Sequence, residues 1–243
     1  PFPTLLRSEV RKYDFRVEKS RSVDGSAKVV LFATDSGNRY SWTQDVSVAT
    51  AQNVSPGNDY QIDGDLSDWT AVPDAITLDT KDHVTVSPAN WKGPDDLSAT
   101  VHLAWRQETL YIAAQVTDDV LRQTQRGSNL WKGDHIDLYL DTAPGSNADK
   151  SVFGPRQFQI GLSPGNFSHT GDALTDIPPE AYAFLPAGFV VKDVAVASRK
   201  TVDGYTIEAA IPWTDFNFKP QVGLPLSVEV AISDTDGMEA SQG

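Results

Sequence analysis

Ala99-Thr100-Val101-His102-Leu103-Ala104-Trp105, then Arg106-Gln107-Glu108, then Thr109-Leu110-Tyr111-Ile112-Ala113-Ala114-Gln115-Val116, is the stretch on which the architecture turns. Val101, Leu103 and Trp105 alternate with Thr100 and His102, and beyond the polar turn Leu110, Ile112, Ala114 and Val116 share one side. Successive side chains of a strand point to opposite faces, so each run offers one apolar face to a core. Two such runs joined by a short polar turn predict an antiparallel hairpin.

The same alternation recurs on either side of the hairpin. His135–Asp141 places Ile136, Leu138 and Leu140 inward and His135, Asp137 and Tyr139 outward; Gln157–Leu162 places Phe158, Ile160 and Leu162 inward and Gln157 and Gln159 outward. Phe189–Ser198, Tyr205–Ile211 and Leu226–Ser233 complete the set, with Asp203-Gly204 as a hairpin turn and Pro212–Phe216 as a helical turn. Long amphipathic helices are missing from the pattern. The fold class this predicts is all-β, a two-sheet antiparallel β-sandwich.

The first fifty residues read separately. Tyr13–Val17, Ala27–Thr34 and Tyr40–Val48 predict three strands, with turns at Asp24-Gly25 and Ser36-Gly37-Asn38. Three strands do not enclose a core by themselves. Residues 1–49 are therefore expected to be an accessory β segment or half of an immunoglobulin-like domain. A linker is expected at 50–60, around Ser55-Pro56-Gly57-Asn58, and the main sandwich at 61–243.

Composition narrows the function classes. The 243 residues are 40% hydrophobic and 22% charged, values of a folded chain rather than a disordered one. The net charge of −13 argues against nucleic acid and anionic membranes as partners, since like charges repel. No apolar run approaches the roughly 18 residues of a membrane helix. With no cysteine, thiol catalysis, disulfides and Cys-ligated metals are excluded. The chain opens at Pro1 without an initiator Met or signal peptide, so we expect a fragment or processed product; the accompanying expectation for its place is extracellular or on the cell surface.

Six segments, in order, resemble the family 9 carbohydrate-binding modules. They are Ile62-Asp63-Gly64-Asp65-Leu66-Ser67-Asp68-Trp69; a strand ending in Trp105, then Leu110-Tyr111-Ile112 with the Val116-Thr117-Asp118-Asp119 turn; Asn129-Leu130-Trp131-Lys132-Gly133-Asp134-His135-Ile136-Asp137-Leu138-Tyr139-Leu140-Asp141; Gln157-Phe158-Gln159; Gly204–Trp213; and Val230–Asp234. The resemblance implies a non-catalytic sandwich that holds a polysaccharide or oligosaccharide against tryptophan, alongside other domains of the same parent chain. By position, Trp131 matches a sugar-stacking tryptophan, Asp137 a sugar-binding Glu, Gln159 an Arg, and Ala231 a Gln. The family's second tryptophan and a neighbouring Asn fall in a last loop and strand that the matched segments do not include. An indole suits the apolar C–H face of a pyranose, and polar side chains suit its hydroxyl rim.

The competing expectation is a structural or protein-interaction sandwich whose sugar site has degenerated. Trp69, Trp105 and Trp213 lie on or beside apolar runs and are expected to pack the core. Asp118 and Asp119 are adjacent on a turn and diverge, so they make no glycosidase pair, which needs two carboxyls facing across a cleft. No catalytic residue is expected, and no cofactor. Structural calcium is compatible with the family resemblance and with the carboxylate content, without assigned ligands. Asp234-Thr235-Asp236-Gly237 resembles the start of a calcium loop but lacks the later Glu, and reads as a solvated turn. His102 and His135 read as surface residues on outward strand positions.

Overall fold

The hairpin alternation is realised as two antiparallel strands that place Val101 opposite Ala114, Leu103 opposite Ile112 and Trp105 opposite Leu110. The computed structural model describes residues 26–35, 38–47, 52–53, 60–72, 75–143, 153–168, 175–222, 224 and 226–236. Its strands are β1 (Ser26–Asp35), β2 (Asn38–Ser47), β3 (Gln52–Asn53), β4 (Ala75–Leu78), β5 (Leu97–Trp105), β6 (Thr109–Asp118), β7 (His135–Asp141), β8 (Gln157–Ser163), β9 (Glu180–Leu185), β10 (Ala195–Lys200), β11 (Gly204–Pro212) and β12 (Ser227–Ser233). Contacts divide the chain into two units, Pro1–Val48 and Ala49–Gly243.

In the first unit β1 and β2 form an antiparallel hairpin, with Ser26 opposite Ser47 and Asp35 opposite Asn38. The strand expected at Tyr13–Val17 and the turn at Asp24-Gly25 lie outside the described residues. In the second unit one sheet runs β10-β11-β6-β5-β3 with β4 also on β5, and the other runs β12-β7-β8-β9. The segment expected as a linker contributes β3, which pairs parallel with β5.

The two sheets bury one continuous core. Val101, Ile112, Ile207 and Ile211 from the larger sheet meet Ile136, Leu138, Ile160 and Leu162 from the smaller, all 2% exposed or less. Burial of such apolar surface is the main stabilising term, at about 25 cal/mol per Å². Trp213 and Phe216, on the short 3₁₀ turn Trp213–Phe216, close one end against Phe158 and Phe218. The Trp213 indole N–H donates to the Arg106 carbonyl at 3.0 Å. Trp213 is thus a core residue, as expected, with Trp105 half-buried against the same core, and Trp69 is buried in a second cluster.

One expected strand is shortened, and two further features lie beyond the alternation. β9, whose six residues are uniformly half-buried, carries no alternation and escapes a period-two reading. β10 begins only at Ala195; Phe189, Val191 and Val194 pack against the core from irregular chain instead of a strand. The outer face of β6 is also covered, so Tyr111 and Ala113 are buried, against a cluster containing Trp69 and Val72.

That outer cover explains the opening Ile62–Trp69 motif. Glu208, fully buried on β11, accepts hydrogen bonds from the Trp69 indole (2.7 Å), the Gly64 amide (2.6 Å) and the Asp63 amide (3.1 Å). Gly64 adopts φ +83°, and an added Cβ would lie 2.7 Å from Arg199 Cγ, so both the turn and the close approach require glycine. Burial raises the Glu208 carboxyl above the usual Glu value, while the three donors pull the other way. Glu208→Ala would strand three donors at about 1–3 kcal/mol each, so we expect a total loss of at least about 3 kcal/mol. Thermal or denaturant melts check this; a change below about 1 kcal/mol would show that the clasp is not structural.

Candidate functional site

The smaller sheet leaves one face of β7 and β8 turned away from the core, and there the polar residues of the alternation gather. Asp137 and Gln159, expected at the site, are directly bonded: Gln159 Nε2 donates to Asp137 Oδ1 at 3.2 Å. The same amide lies 3.2 Å from the Tyr139 hydroxyl, which donates to Asp137 Oδ2 at 3.5 Å. His135 Nε2 lies 3.4 Å from Asp137 Oδ2, and His135 Nδ1 lies 2.6 Å from the Gly133 carbonyl oxygen. His135 is therefore 3% exposed, not the surface residue that its outward register suggested. Burial and the negative charges of Asp137 and Glu229 push the Tyr139 phenol up to about 12, keeping it a neutral donor. Across the β12 pairing, Ala231 stands opposite Asp137 and Glu229 opposite Tyr139. Alanine adds no bulk beside the Asp137 carboxylate.

Trp131 sits on the 3₁₀ turn Gly127–Lys132 and is 49% exposed. Gly161, opposite Asp137 on β8, explains how that turn reaches this face. A Cβ on Gly161 would lie 2.7 Å from Phe184 Cε2 and 3.0 Å from Leu130 Cδ2. Without a side chain there, Leu130 is fully buried against the outer face, and its neighbour Trp131 is left projecting. The turn is pinned by Gly127 N–H to Glu180 Oε1 (2.9 Å) and by the Gln123 amide to the Leu130 carbonyl (3.1 Å). Lys132 Nζ lies 5.4 Å from the centre of the Trp131 rings, within cation–π range. The structure thus joins Asp137 to Gln159 and seats the turn carrying Trp131 on their face. The alternation already marked Tyr139 and His135 as outward; only the hydrogen bonds reveal them as members of the network.

A second cluster lies at the strand ends. Asp118, Asp134 and Asp234 are 5%, 1% and 0% exposed, and each brings a carboxylate oxygen within 4.8 Å of the others. Asp134 accepts from the Arg122 and Thr235 amides, and Asp118 from the Val120 amide. Both oxygens of Asp234 are buried without a hydrogen-bond partner, as are the Tyr205 and Thr235 hydroxyl oxygens. The expectation of a solvated turn at Asp234 is therefore wrong. Burial, reinforced by mutual repulsion, raises all three carboxyls, Asp234 to about 7. The neighbouring group of Asp96, Asp119 and Asp236 differs, because Lys92 Nζ lies 2.9 Å from Asp96 and 3.4 Å from Asp236. An all-carboxylate buried set with orphaned oxygens fits a hard divalent cation such as calcium.

Comparison with known proteins agrees with this architecture. The sequence model of the family described as carbohydrate family 9 binding domain-like matches residues 62–243. The chain is 28% identical over 193 residues to exoglucanase XynX of Acetivibrio thermocellus, covering 78% of this chain and 14% of that protein. It is 25% identical over 222 residues to endo-1,4-beta-xylanase A of Thermotoga neapolitana, covering 84% of this chain and 18% of that one. The chain thus spans less than a fifth of these relatives. Among solved structures, a family 9 carbohydrate-binding module from Caldicellulosiruptor kristjanssonii in complex with cellotriose superposes with a TM-score of 0.51. Its identity is 21%, with 77% of this chain and 78% of that chain covered. The sandwich, the six ordered motifs and the family match over residues 62–243 together place this chain in the carbohydrate family 9 binding domain-like family.

Proposed function

We propose that this domain is a non-catalytic module that binds a neutral glycan on the outer face of β7 and β8, within a larger secreted glycan-active protein. One observation supports the reading: the turn that carries the half-exposed Trp131 seats its Leu130 against Gly161, which pairs with Asp137 of the hydrogen-bonded fork of Asp137, Gln159 and Tyr139. The indole supplies a stacking platform for a pyranose. The fork supplies a carboxylate acceptor, an amide and a phenol for its hydroxyls. The carboxyls with strongly raised pKa, Asp118, Asp134 and Asp234, are all closed to a substrate by burial, which supports binding without hydrolysis. The named relatives, a glucanase and a xylanase several times longer than the matched stretch, support attachment to a catalytic partner.

Asp118, Asp134 and Asp234 would hold a structural calcium, which when bound offsets their mutual repulsion and ties the ends of β6, β7 and β12 together. That same tie fixes the segment between Lys132 and His135, from which the Trp131 turn enters β7.

Asp137→Ala tests the site. Truncation removes a charged acceptor and leaves the Gln159 amide and Tyr139 hydroxyl with one partner fewer, so affinity should fall about tenfold or more. Affinity electrophoresis through gels containing soluble β-glucan or xylan would show retardation of the parent domain and its loss in the variant. Equal retardation of both removes Asp137 from the site. The alternative, a structural or protein-interaction sandwich, is favoured by the fact that Asp137 and Gln159 already bond each other. It predicts no retardation by any glycan.

A further inference from the structure

The binding reading proposed above uses one aromatic platform, yet the outer face carries a second. Phe153 is 46% exposed, and its ring centre lies 6.1 Å from that of Tyr139, with the planes at 44°. The chain beside it is held to the sheet where Gly154 N–H donates to Gln157 Oε1 at 2.7 Å, and Gln157 in turn donates to Asp141 Oδ2 at 2.8 Å. Phe153 therefore belongs to the β7–β8 end that holds Tyr139, Asp141 and Gln157. The Trp131 turn sits instead over the Asp137–Gly161 pair.

Outward residues on one strand recur every second position, about 6.6–6.8 Å apart. The face is thus a sequence of rows: Asp137 with Gly161 beside the Trp131 turn, then Tyr139 with Gln159, then Asp141 with Gln157 beside Phe153. That spacing is on the scale of successive rings in a glycan chain. The three strands β7, β8 and β12 contain no Lys or Arg but carry Asp137, Asp141 and Glu229. Along the strands a glycan chain meets acceptors and negative charge, which suits uncharged sugars and opposes uronates there, while Lys132 places a cation only beside Trp131 at the first ring.

We infer that Tyr139 and Phe153 form a second platform on the same face, so that the domain takes an extended, uncharged oligosaccharide of several units along β7 and β8. Trp131 and the Asp137–Gln159 fork hold one ring. Phe153 and the Tyr139 ring edge stack a ring farther along the chain. This rests on the glycan-binding reading above and adds a length requirement to it.

The test is calorimetric titration of the domain with glucose and cello-oligosaccharides from two to six units, and with the matching xylose series. Affinity should rise with length beyond the disaccharide. Phe153→Ala should remove about three- to tenfold of that gain, the scale of one aromatic contact, and leave disaccharide affinity unchanged. Tyr139→Phe, which keeps the ring but loses the hydroxyl, should weaken short and long ligands alike. Binding by the parent domain with no gain beyond the disaccharide, or an unchanged length profile in Phe153→Ala, overturns the second platform while leaving the Trp131 site standing. Failure of the parent to bind any member of either series overturns both. Oligogalacturonides binding as tightly as the neutral series would overturn the assignment to uncharged chains.

Discussion

Calcium added to chelator-treated protein should raise its melting temperature by about 5–10 °C. A ligand that binds only the folded state at about a hundred times its Kd stabilises by about 2.7 kcal/mol. For a domain of 150–250 residues each kcal/mol moves the midpoint by about 2–4 °C. The physical origin is the triad of Asp118, Asp134 and Asp234, three buried carboxylates from three strand ends with no basic side chain among them. Such a group is costly without a counter-charge, and the orphaned oxygens of Asp234 offer ligand positions that no side chain among the described residues fills.

Asp234→Asn separates this account from a general salt effect. The amide removes one negative charge and can donate to the remaining carboxylates, so in chelator the variant should melt above the parent. In calcium the order should reverse, because the variant has lost a ligand. Two curves that cross in this way identify the triad as the binding site; a variant that responds to calcium as the parent does would move the cation elsewhere. The outer trio should not respond comparably, since Lys92 already bridges Asp96 and Asp236.

Trp131→Ala should lower glycan affinity by about thirtyfold or more, which corresponds to at least about 2 kcal/mol for a central aromatic anchor. The loss should come with little change in stability, because Trp131 is half-exposed while Leu130 beside it supplies the packing. Leu130→Ala provides the contrast: it opens a cavity over Gly161, costs about 2–5 kcal/mol of stability, and lets the turn move. Calorimetry and melts on the two variants therefore dissociate binding from folding. Undiminished affinity in Trp131→Ala would exclude this indole from the site.

The architecture was legible wherever alternation and burial coincide. Val101, Leu103, Leu110 and Ile112 face the core as their spacing says, and the outward set His135, Asp137, Tyr139 and Gln159 was readable from the same rule. It failed where a strand is half-covered on both faces, as in β9, and where apolar residues cap the core from irregular chain, as Phe189 and Val191 do. β4, four residues with only Ile76 and Leu78 packed, is too short to show a period. The carboxylate triad was illegible for a different reason. Residues 118, 134 and 234 meet only because β6 and β12 end where β7 begins, and local spacing carries no trace of that meeting. The role of Gly161 was hidden likewise, since it depends on Leu130 arriving from another segment.

If sugar lies on the outer face of β7 and β8, nuclear magnetic resonance will show it there directly. During titration with cellotetraose or xylotetraose, the Trp131 indole N–H, the Gln159 side-chain amide and the backbone amides of β7 should shift first and most. Shifts confined to the opposite sheet, for example around Thr100, His102 and Gln115, would contradict the claim, as would a spectrum that both ligands leave unchanged.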